Sequence, residues 1–551
     1  MVNLNNARKL QVVSCPGISV DSLGEYLMGI GLLSVLSRCW LGVRGCWRND
    51  NFCIIAEGAS RDVIEDYILN RWKVTESEFK HELWWKEDQK KDTKAKSDIN
   101  IWRARSQQDD IRKVIHLDAH IIGVGRNQFN PIFGTGGNIG KRILAKVAQE
   151  AVKLIVMSKS SRKSGQSSLP ASWLKYTLWR EGEPELPELP STGTWFVFAN
   201  RTFNSGQQEW YQEGRLSPWS FLLALEGALL LVGGVNRRWS GTARPYAVFP
   251  FITDIVSPST REEVGLAQAE FWAPLWSCPA TLIEVRALFE RGYSRIGERT
   301  AKAPHEFALA ARAAGVDAGV SEFARFVLRQ TTSPQTREAI PEGRVRASDS
   351  ETLEAALIQE ILPWLDRLPY DPRDSKQRGE FIGLRGPIES LIVKVNQRSD
   401  DPELWQKLLL SLSETQLRLD KNHEWRTRCS ALPWLHPDWF DRAWPEPPAE
   451  IQVARAIASV GAETKMPLLV NIFGVELDKE GKPFFAEKRL RRAVWHHGAV
   501  VPLLANVLRR RLVDTDAAGE IPIKAPYLCD AQTMIALLAG ALDWDLIGRW
   551  I

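Results

Sequence analysis

The chain of 551 residues combines 44% hydrophobic with 25% charged residues, which excludes global disorder and leaves room for about two to four domains. A formal net charge of only +4 excludes nucleic-acid binding through overall charge, so such a surface must come from local patches. The seven cysteines form no Cys-x-x-Cys pair, and their odd number and scatter argue against a disulfide framework and predict a reducing compartment.

The first predicted elements lie in residues 1–130, which we expect to form an α+β region. An apolar run at 10–13 is followed by a capping box at Ser22-x-x-Glu25, which predicts the start of a helix. The β-branched and aromatic run at 52–56 predicts a strand. Residues 71–113 form a highly charged insert with interleaved tryptophans. Such interleaving suits single-stranded nucleic acid, but the nearly balanced charge favours a solvated helix.

Four glycines followed at once by two cations make 129–142 the most distinctive stretch of the sequence. Backbone N–H groups of a glycine nest and of a helix N-terminus bind anions, either a nucleotide phosphate or a nucleic-acid backbone. The P-loop spacing fails because Arg142 follows Lys141, and the dinucleotide pattern fails because Ile139 replaces the third glycine. A purely structural loop that caps the next helix is an equal alternative.

Two basic clusters suggest where phosphates bind. Residues 140–163 carry seven Lys or Arg against one Glu, and 487–511 repeat that ratio. A solvated helix face is the commoner meaning of one charge run, but two clusters in a near-neutral chain favour phosphate contact. The candidate nucleic-acid-binding residues are Asn130, Gly134, Thr135, Gly136, Gly137, Asn138, Lys141, Arg142, Lys159, Arg162, Lys163, Arg237, Arg238, Arg489, Arg491, Arg492, Arg509, Arg510 and Arg511. Arg509 and Arg511 have an alternative role as salt-bridge partners of neighbouring helices.

The middle of the chain predicts a glycine-loop and helical body over 131–349. Ser217-Pro218 predicts a helix start and Gly233-Gly234 its end, and Glu226 between them needs a partner if it is buried. Arg237 and Arg238 are the candidate partners.

Further along, we expect a run of helices over 282–291, 306–314 and 321–329, a polar break at 331–350, and few strands after about 255. Residues 350–551 predict a helical C-terminal domain. The expected class is α+β, a mixed N-terminal body with a mainly helical C-terminal domain.

No catalytic signature accompanies these elements, so the sequence favours a non-catalytic protein without cofactors. His116, Asp118 and His120 alternate as in a strand and would share one face, which is a weak metal pattern.

The most apolar run, 221–234, is too short to span a bilayer and contains an acid, so we expect no membrane contact and a cytoplasmic location. Most of the 23 tryptophans are expected to be core anchors.

Several segments carry a family resemblance in their order along the chain. They are Cys15-Pro16 with Leu23–Leu27, Asn130–Asn138, Leu222–Leu229, Phe249–Phe251, Glu270–Trp276, Arg295–Gly297, Gly315–Gly319, and Arg491–Trp495 with Asn506–Arg511. With them the chain, from about residue 10 to 550, resembles the large, Cas-eight-type subunit of the type I-G (formerly I-U) CRISPR Cascade complex. Gly134-Thr-Gly-Gly-Asn138 and Leu223-Ala-Leu-Glu-Gly-Ala228 are its most specific parts, and Ile139 departs from the acid often found there.

The resemblance implies a role in an assembly rather than a reaction. Such subunits lie at the 5′-handle end of the guide RNA, help recognise the protospacer-adjacent motif on double-stranded DNA, hold the displaced strand and recruit a helicase-nuclease. The implied protein partners are the backbone and handle-binding subunits, and the C-terminal part is similar in role to small subunits.

Two alternatives stay open. One is a nucleotide-binding or metal-dependent hydrolase that uses the glycine loop with Glu226 or the face of His116, Asp118 and His120. The other is a structural subunit that binds only proteins and guide RNA.

Overall fold

The computed structural model describes residues 10–72, 103–104, 107, 118–124, 126–133, 143–160, 168–190, 213–236, 246–254, 267–292, 294–296, 299–316, 319–330, 337–369, 380, 383–462, 467–472, 475–485, 494, 499–515, 525–539 and 541–550. Helices and antiparallel sheets together make this an α+β fold, which confirms the predicted class. The chain divides into two compact units, 1–351 and 352–551. Their boundary lies beside the one expected at 349/350, whereas the expected regions 1–130 and 131–349 fall in one unit.

The described residues of the N-terminal unit form two four-stranded sheets, several two-stranded ribbons and the helices around them. Its strands are β1 Leu10–Ser19, β2 Arg44–Arg48, β3 Asn51–Glu57, β4 Ile121–Val124, β5 Arg126–Phe129, β6 Glu188–Pro190, β7 Glu213–Arg215, β8 Gly234–Asn236, β9 Tyr246–Val248, β10 Ile252–Asp254, β11 Ala267–Trp276, β12 Ala280–Thr281, β13 Arg295–Ile296, β14 Arg299–Thr300, β15 Val320–Gln330 and β16 Arg337–Arg346. Its helices are α1 Leu23–Ser37, α2 Arg61–Asp66, α3 Ile143–Ser160, α4 Leu169–Trp179, α5 Pro218–Ala228, α6 Leu282–Arg291 and α7 Pro304–Arg312. A π-helical turn Tyr67–Arg71 and a 3-10 turn Pro131–Phe133 complete the unit.

The first sheet has the strand order β1-β3-β2-β12, and its described pairings are antiparallel. A two-residue turn joins β2 to β3, with Asn49 and Asp50 both at positive φ, which is the turn that matches the twist of a hairpin. The strand predicted at 52–56 is confirmed as β3. Trp47 and Phe52 of this hairpin stack edge to face in the core.

Glycines let α1 and α5 cross at very close range. A Cβ on Gly31 would lie 1.8 Å from the carbonyl oxygen of Leu223, and one on Gly227 would lie 2.0 Å from that of Leu27. The two helices therefore meet backbone to backbone, which only residues without a Cβ permit. This close approach explains why a glycine, Gly227, stands in the segment Leu222–Leu229.

The second sheet, of order β10-β11-β15-β16, overturns two expectations. The helix predicted at 321–329 lies within strand β15, and the polar break predicted at 331–350 contains strand β16. Strands are therefore not sparse after residue 255 in the N-terminal unit. β15 misled the prediction because Phe323 to Leu328 are all buried, so the strand lacks the alternation of a half-exposed one.

Helix starts were predicted well because their capping residues are local. Ser22 Oγ accepts the backbone N–H of Glu25 (3.1 Å) and starts α1 as expected. Ser217 precedes Pro218 at the start of α5, which ends at Ala228 rather than at the predicted glycine pair. The helices predicted at 282–291 and 306–314 are confirmed as α6 and α7.

The C-terminal unit is mainly helical over its described residues. Its elements are α8 Leu353–Leu365, α9 Arg385–Gln397, α10 Pro402–Lys421, α11 His423–Arg428, α12 Asp438–Ala443, α13 Ala449–Ala458, α14 Leu468–Ile472, β17 Val475–Leu477, β18 Pro483–Phe485, α15 Val500–Thr515, α16 Ala531–Leu538 and α17 Trp544–Trp550. Trp405 and Trp439 meet edge to face in its interior (5.3 Å between ring centroids), and Val453, Ala454 and Ile547 form a further core cluster.

Candidate nucleic-acid interface

Most of the predicted nucleic-acid-binding residues lie outside the described part of the chain. These are Gly134, Thr135, Gly136, Gly137, Asn138, Lys141, Arg142, Arg162, Lys163, Arg237, Arg238, Arg489, Arg491 and Arg492. The helix expected after the glycine loop is present as α3, an 18-residue helix that begins at Ile143. Its buried residues, including Ala148 and Ala151, recur at the helical spacing read from the sequence, and Lys159 lies in its last turn.

Asn130 has an internal role in the structure. Its Nδ2 donates to the carbonyl oxygens of Ala119 (3.1 Å) and Leu231 (3.3 Å), and its Oδ1 accepts the N–H of Ile132 (3.1 Å). The side chain is fully buried. These bonds use both amide hydrogens, so Asn130 anchors the turn before the glycine loop to the end of α5 rather than contacting bases.

The arginines of α15 divide by the face they occupy. Arg509 is exposed and Arg510 is half-buried, whereas Arg511 is buried and its Nε donates to Oδ1 of Asn471 (2.9 Å). Burial lowers the pKa of the Arg511 guanidinium. Arg511 therefore joins α15 to α14 inside the C-terminal unit, which is the structural alternative considered for it, and Arg509 is the arginine of this run that faces solvent.

Tryptophan exposure points to a surface that the sequence did not indicate. Trp434 is 49% exposed, whereas tryptophans such as Trp219, Trp272 and Trp405 are almost fully buried. Among the tryptophans whose side chains the structure describes, Trp434 is the most exposed, so it is the one best placed to contact a ligand. Nothing in the surrounding Leu-Pro-Trp-Leu-His-Pro sequence distinguishes it from a core residue.

We call Trp434 together with β17 and β18 the aromatic hairpin. Trp434 Nε1 donates to the carbonyl oxygen of Gly481 in the hairpin turn (2.8 Å), which fixes the indole beside the strands. Phe484 on β18 is 39% exposed, and the guanidinium of Arg426 lies 5.7 Å from the ring centroid of Phe485 on the opposite face of that strand.

The turn of the aromatic hairpin has balanced charge. Lys479 and Lys482 lie beside Asp478 and Glu480, so two cations face two acids. Electrostatic attraction to phosphate is therefore weak here, and the two open rings are the chemically distinctive feature. Exposed aromatic rings are stacking platforms for unpaired bases of any sequence.

A cleft of about 710 Å³ in the N-terminal unit is a weaker candidate. Two of its arginines are already neutralised, Arg180 by Glu25 and Arg344 by Asp50 with Glu322 (3.5 Å). A phosphate entering the cleft would have to displace these carboxylates, so the cleft does not present free positive charge at those positions.

The residues named for a hydrolase do not form a common face where the structure describes them. Asp118 bonds to Arg103, and burial raises the pKa of its carboxyl. Asp118 to His120 are helical and His120 stacks on Phe133 (3.7 Å between ring centroids), so the strand-like alternation expected here is wrong; His116 lies outside the described residues. Glu226 pairs with Arg38, which follows the last residue of α1. Arg237 and Arg238, the partners expected for Glu226, lie outside the described residues.

Among the residues that the structure describes, no group of three or more His, Cys, Asp or Glu side chains is arranged to hold a metal ion. None of the described helices has the length and hydropathy needed to cross a bilayer.

Comparison with protein-family models gave no match, and comparison with curated proteins also gave none.

Proposed function

We propose that this chain is the non-catalytic large subunit of an RNA-guided CRISPR surveillance complex of type I-G, and that it binds target DNA. The ordered segments of family resemblance support this role, since they run through both units. The observation that carries the proposal is the aromatic hairpin, because it offers sequence-tolerant stacking of unpaired bases, and the resemblance implies that such subunits hold the displaced strand.

In this proposal the phosphate contacts and the base contacts lie in different places. The glycine loop and the basic cluster at 140–163 contact phosphates and contribute to recognition of the protospacer-adjacent motif. The arginines of the 487–511 cluster other than the buried Arg511 contact the phosphates of the displaced strand or of the target backbone. The displaced single strand lies across the aromatic hairpin. Guide RNA, the backbone and handle-binding subunits and a recruited helicase-nuclease are the partners, no cofactor takes part, and the complex works in the cytoplasm.

A mobility-shift titration tests this function directly. The guide–backbone complex is titrated against target duplexes with randomised flanking bases, with and without this chain. We expect tight binding and flank preference to require the chain. Flank-selective binding in its absence would remove motif recognition from the proposal.

The two alternatives give different results in companion experiments. Metal-dependent DNA cleavage by the isolated chain, or nucleotide protection in a thermal-shift assay, would favour a hydrolase. A chain that joins the complex but changes neither duplex nor single-strand affinity would be the purely structural subunit.

A further inference from the structure

Strand β1 has an open edge. It is the terminal strand of the first sheet, and among the described residues β3 is its only strand neighbour. Leu10 is 55% and Val12 is 52% exposed, which is unusual for apolar side chains inside a regular strand. The run Leu10–Ser14 carries no charge. Within the part of the chain that the structure describes, the edge therefore has apolar side chains and no strand paired to its outer backbone groups.

The register fixes which backbone groups face the open side. Arg48 and Asn51 flank the two-residue turn and form its closing hydrogen-bonded pair, and such pairs then alternate along an antiparallel ladder. Residues 51, 53 and 55 of β3 thus bond to β2, and residues 52, 54 and 56 bond to β1. The partners of the latter set are 15, 13 and 11. The N–H and C=O groups of Leu10, Val12 and Ser14 consequently point away from the sheet.

Native sheets normally protect such an edge with a charge, a proline, a bulge or a covering loop. The first irregularity of β1 comes only between Cys15 and Ser19, and its proline is Pro16, so Leu10–Ser14 carry no charge, proline or bulge of their own. We propose that this edge is a docking site for an extended segment of another protein, which adds to the first sheet as a fifth strand.

The chemistry of the edge specifies its occupant. Outward N–H and C=O groups at alternate residues are satisfied by a strand, because a helix has no backbone groups to offer. The partner segment carries apolar side chains at alternate positions, opposite Leu10 and Val12, and a small or polar one opposite Ser14. Charged residues opposite the two apolar side chains would be desolvated without a counter-ion.

A second copy of this chain fits the edge less well. A pair of β1 strands joined over Leu10–Ser14 would bury far less than the roughly 1,200 Å² of a stable specific interface. A short added strand is enough for stable binding when further contacts elsewhere hold the partner in place, as in a multi-subunit assembly. Identifying the occupant as a backbone or handle-binding subunit rests on the proposed function.

Val12→Lys and Val12→Pro test the edge in the reconstituted complex of guide RNA with backbone and handle-binding subunits. Val12→Pro deletes an outward N–H that β3 does not use, and Val12→Lys adds the charge that protected edges carry. Leu41→Lys is the matched control, because it places the same charge at a fully exposed leucine outside β1. We expect both Val12 variants to unfold at the wild-type temperature and to bind the complex at least tenfold more weakly, with Leu41→Lys unchanged.

Hydrogen exchange of a peptic fragment covering residues 10–15 gives the second readout. In the wild-type chain we expect this fragment to exchange at least tenfold more slowly in the complex than alone. Equal exchange in a complex that still binds DNA would overturn this inference and leave the proposed function intact. Protection in a complex to which the chain adds no DNA affinity would support this inference and remove the proposed function. If protection of residues 10–15 increased with the concentration of the isolated chain, and the measured mass were that of a dimer, the occupant of the edge would be a second copy of this chain and the inference would be wrong.

Discussion

Arg509 and Arg511 show that a residue's position within a helix decides whether its side chain faces solvent or the protein interior. They stand two places apart in α15, yet Arg509 is exposed and Arg511 is buried against Asn471. The sequence contained the signal for this difference, because Arg511 follows the buried Val507 by four residues and so shares its face. Trp434 offered no such signal, since the residue that holds its indole, Gly481, lies 47 residues further along the chain.

Trp434 and Phe484 are predicted to bind single-stranded DNA by stacking on its bases. Replacing both with alanine removes two stacking surfaces, each worth about 1–3 kcal/mol per base. We expect the affinity of the chain for a labelled oligothymidine to fall accordingly in a fluorescence-anisotropy titration. Because the site has balanced charge, the salt dependence of binding should stay almost unchanged.

The control for this pair is Leu528→Ala, which truncates an 85% exposed apolar residue away from the aromatic hairpin. It should bind oligothymidine like the wild type. Unchanged affinity in the double variant, with a wild-type unfolding temperature, would exclude the hairpin from strand holding.

Among the elements, the crossing of α1 and α5 is the packing arrangement that tolerates least change. The two helices lie about 190 residues apart in the sequence, so no local pattern could predict that they meet. Their individual existence was predictable, because Ser22 and the Ser217-Pro218 pair start them through nearby bonds and restraints. β15 was not predictable, because its two buried faces and the buried Arg325–Glu270 pair (3.0 Å) depend on distant strands.

Gly227→Ala tests the crossing. In an isolated helix this change would stabilise by about 1 kcal/mol. Here the new methyl group would meet backbone atoms that cannot move aside, so we expect the free energy of unfolding to fall by about 1–3 kcal/mol or more. Urea unfolding followed by circular dichroism measures the change.

Gly234→Ala serves as the comparison, because no heavy atom lies within 4 Å of the Cβ it would add. Its unfolding midpoint should stay close to that of the wild type. If Gly227→Ala behaved in the same way, the close approach of the two helices would be wrong.

For the whole molecule, the class of fold followed from composition and periodicity, whereas the distribution of charge over the surface did not. Counting charges located the basic clusters in the sequence but could not tell exposed arginines from buried ones, as Arg509 and Arg511 illustrate. Near-neutral net charge means that patches, and not the overall field, must attract DNA.

Two triple variants with the same net charge can separate the effect of a local basic patch on DNA binding from the effect of overall charge. Changing Arg489, Arg491 and Arg492 to glutamine should weaken duplex binding and reduce the salt slope by about 0.9 for each phosphate that the protein no longer neutralises. The same change at the exposed Arg48, Arg61 and Arg71 alters net charge equally and should leave the slope unchanged. Filter-binding titrations over a range of salt concentrations measure both, and equal effects would contradict a local phosphate site.

The close crossing of α1 and α5 also has a consequence during synthesis. Helix α1 leaves the ribosome roughly 190 residues before α5, a delay on the order of 10–40 s at about 5–20 residues per second. During that interval the glycine-lined, apolar side of α1 has no partner. Nascent chains of this protein are therefore expected to need a chaperone that shields this first helix until α5 emerges.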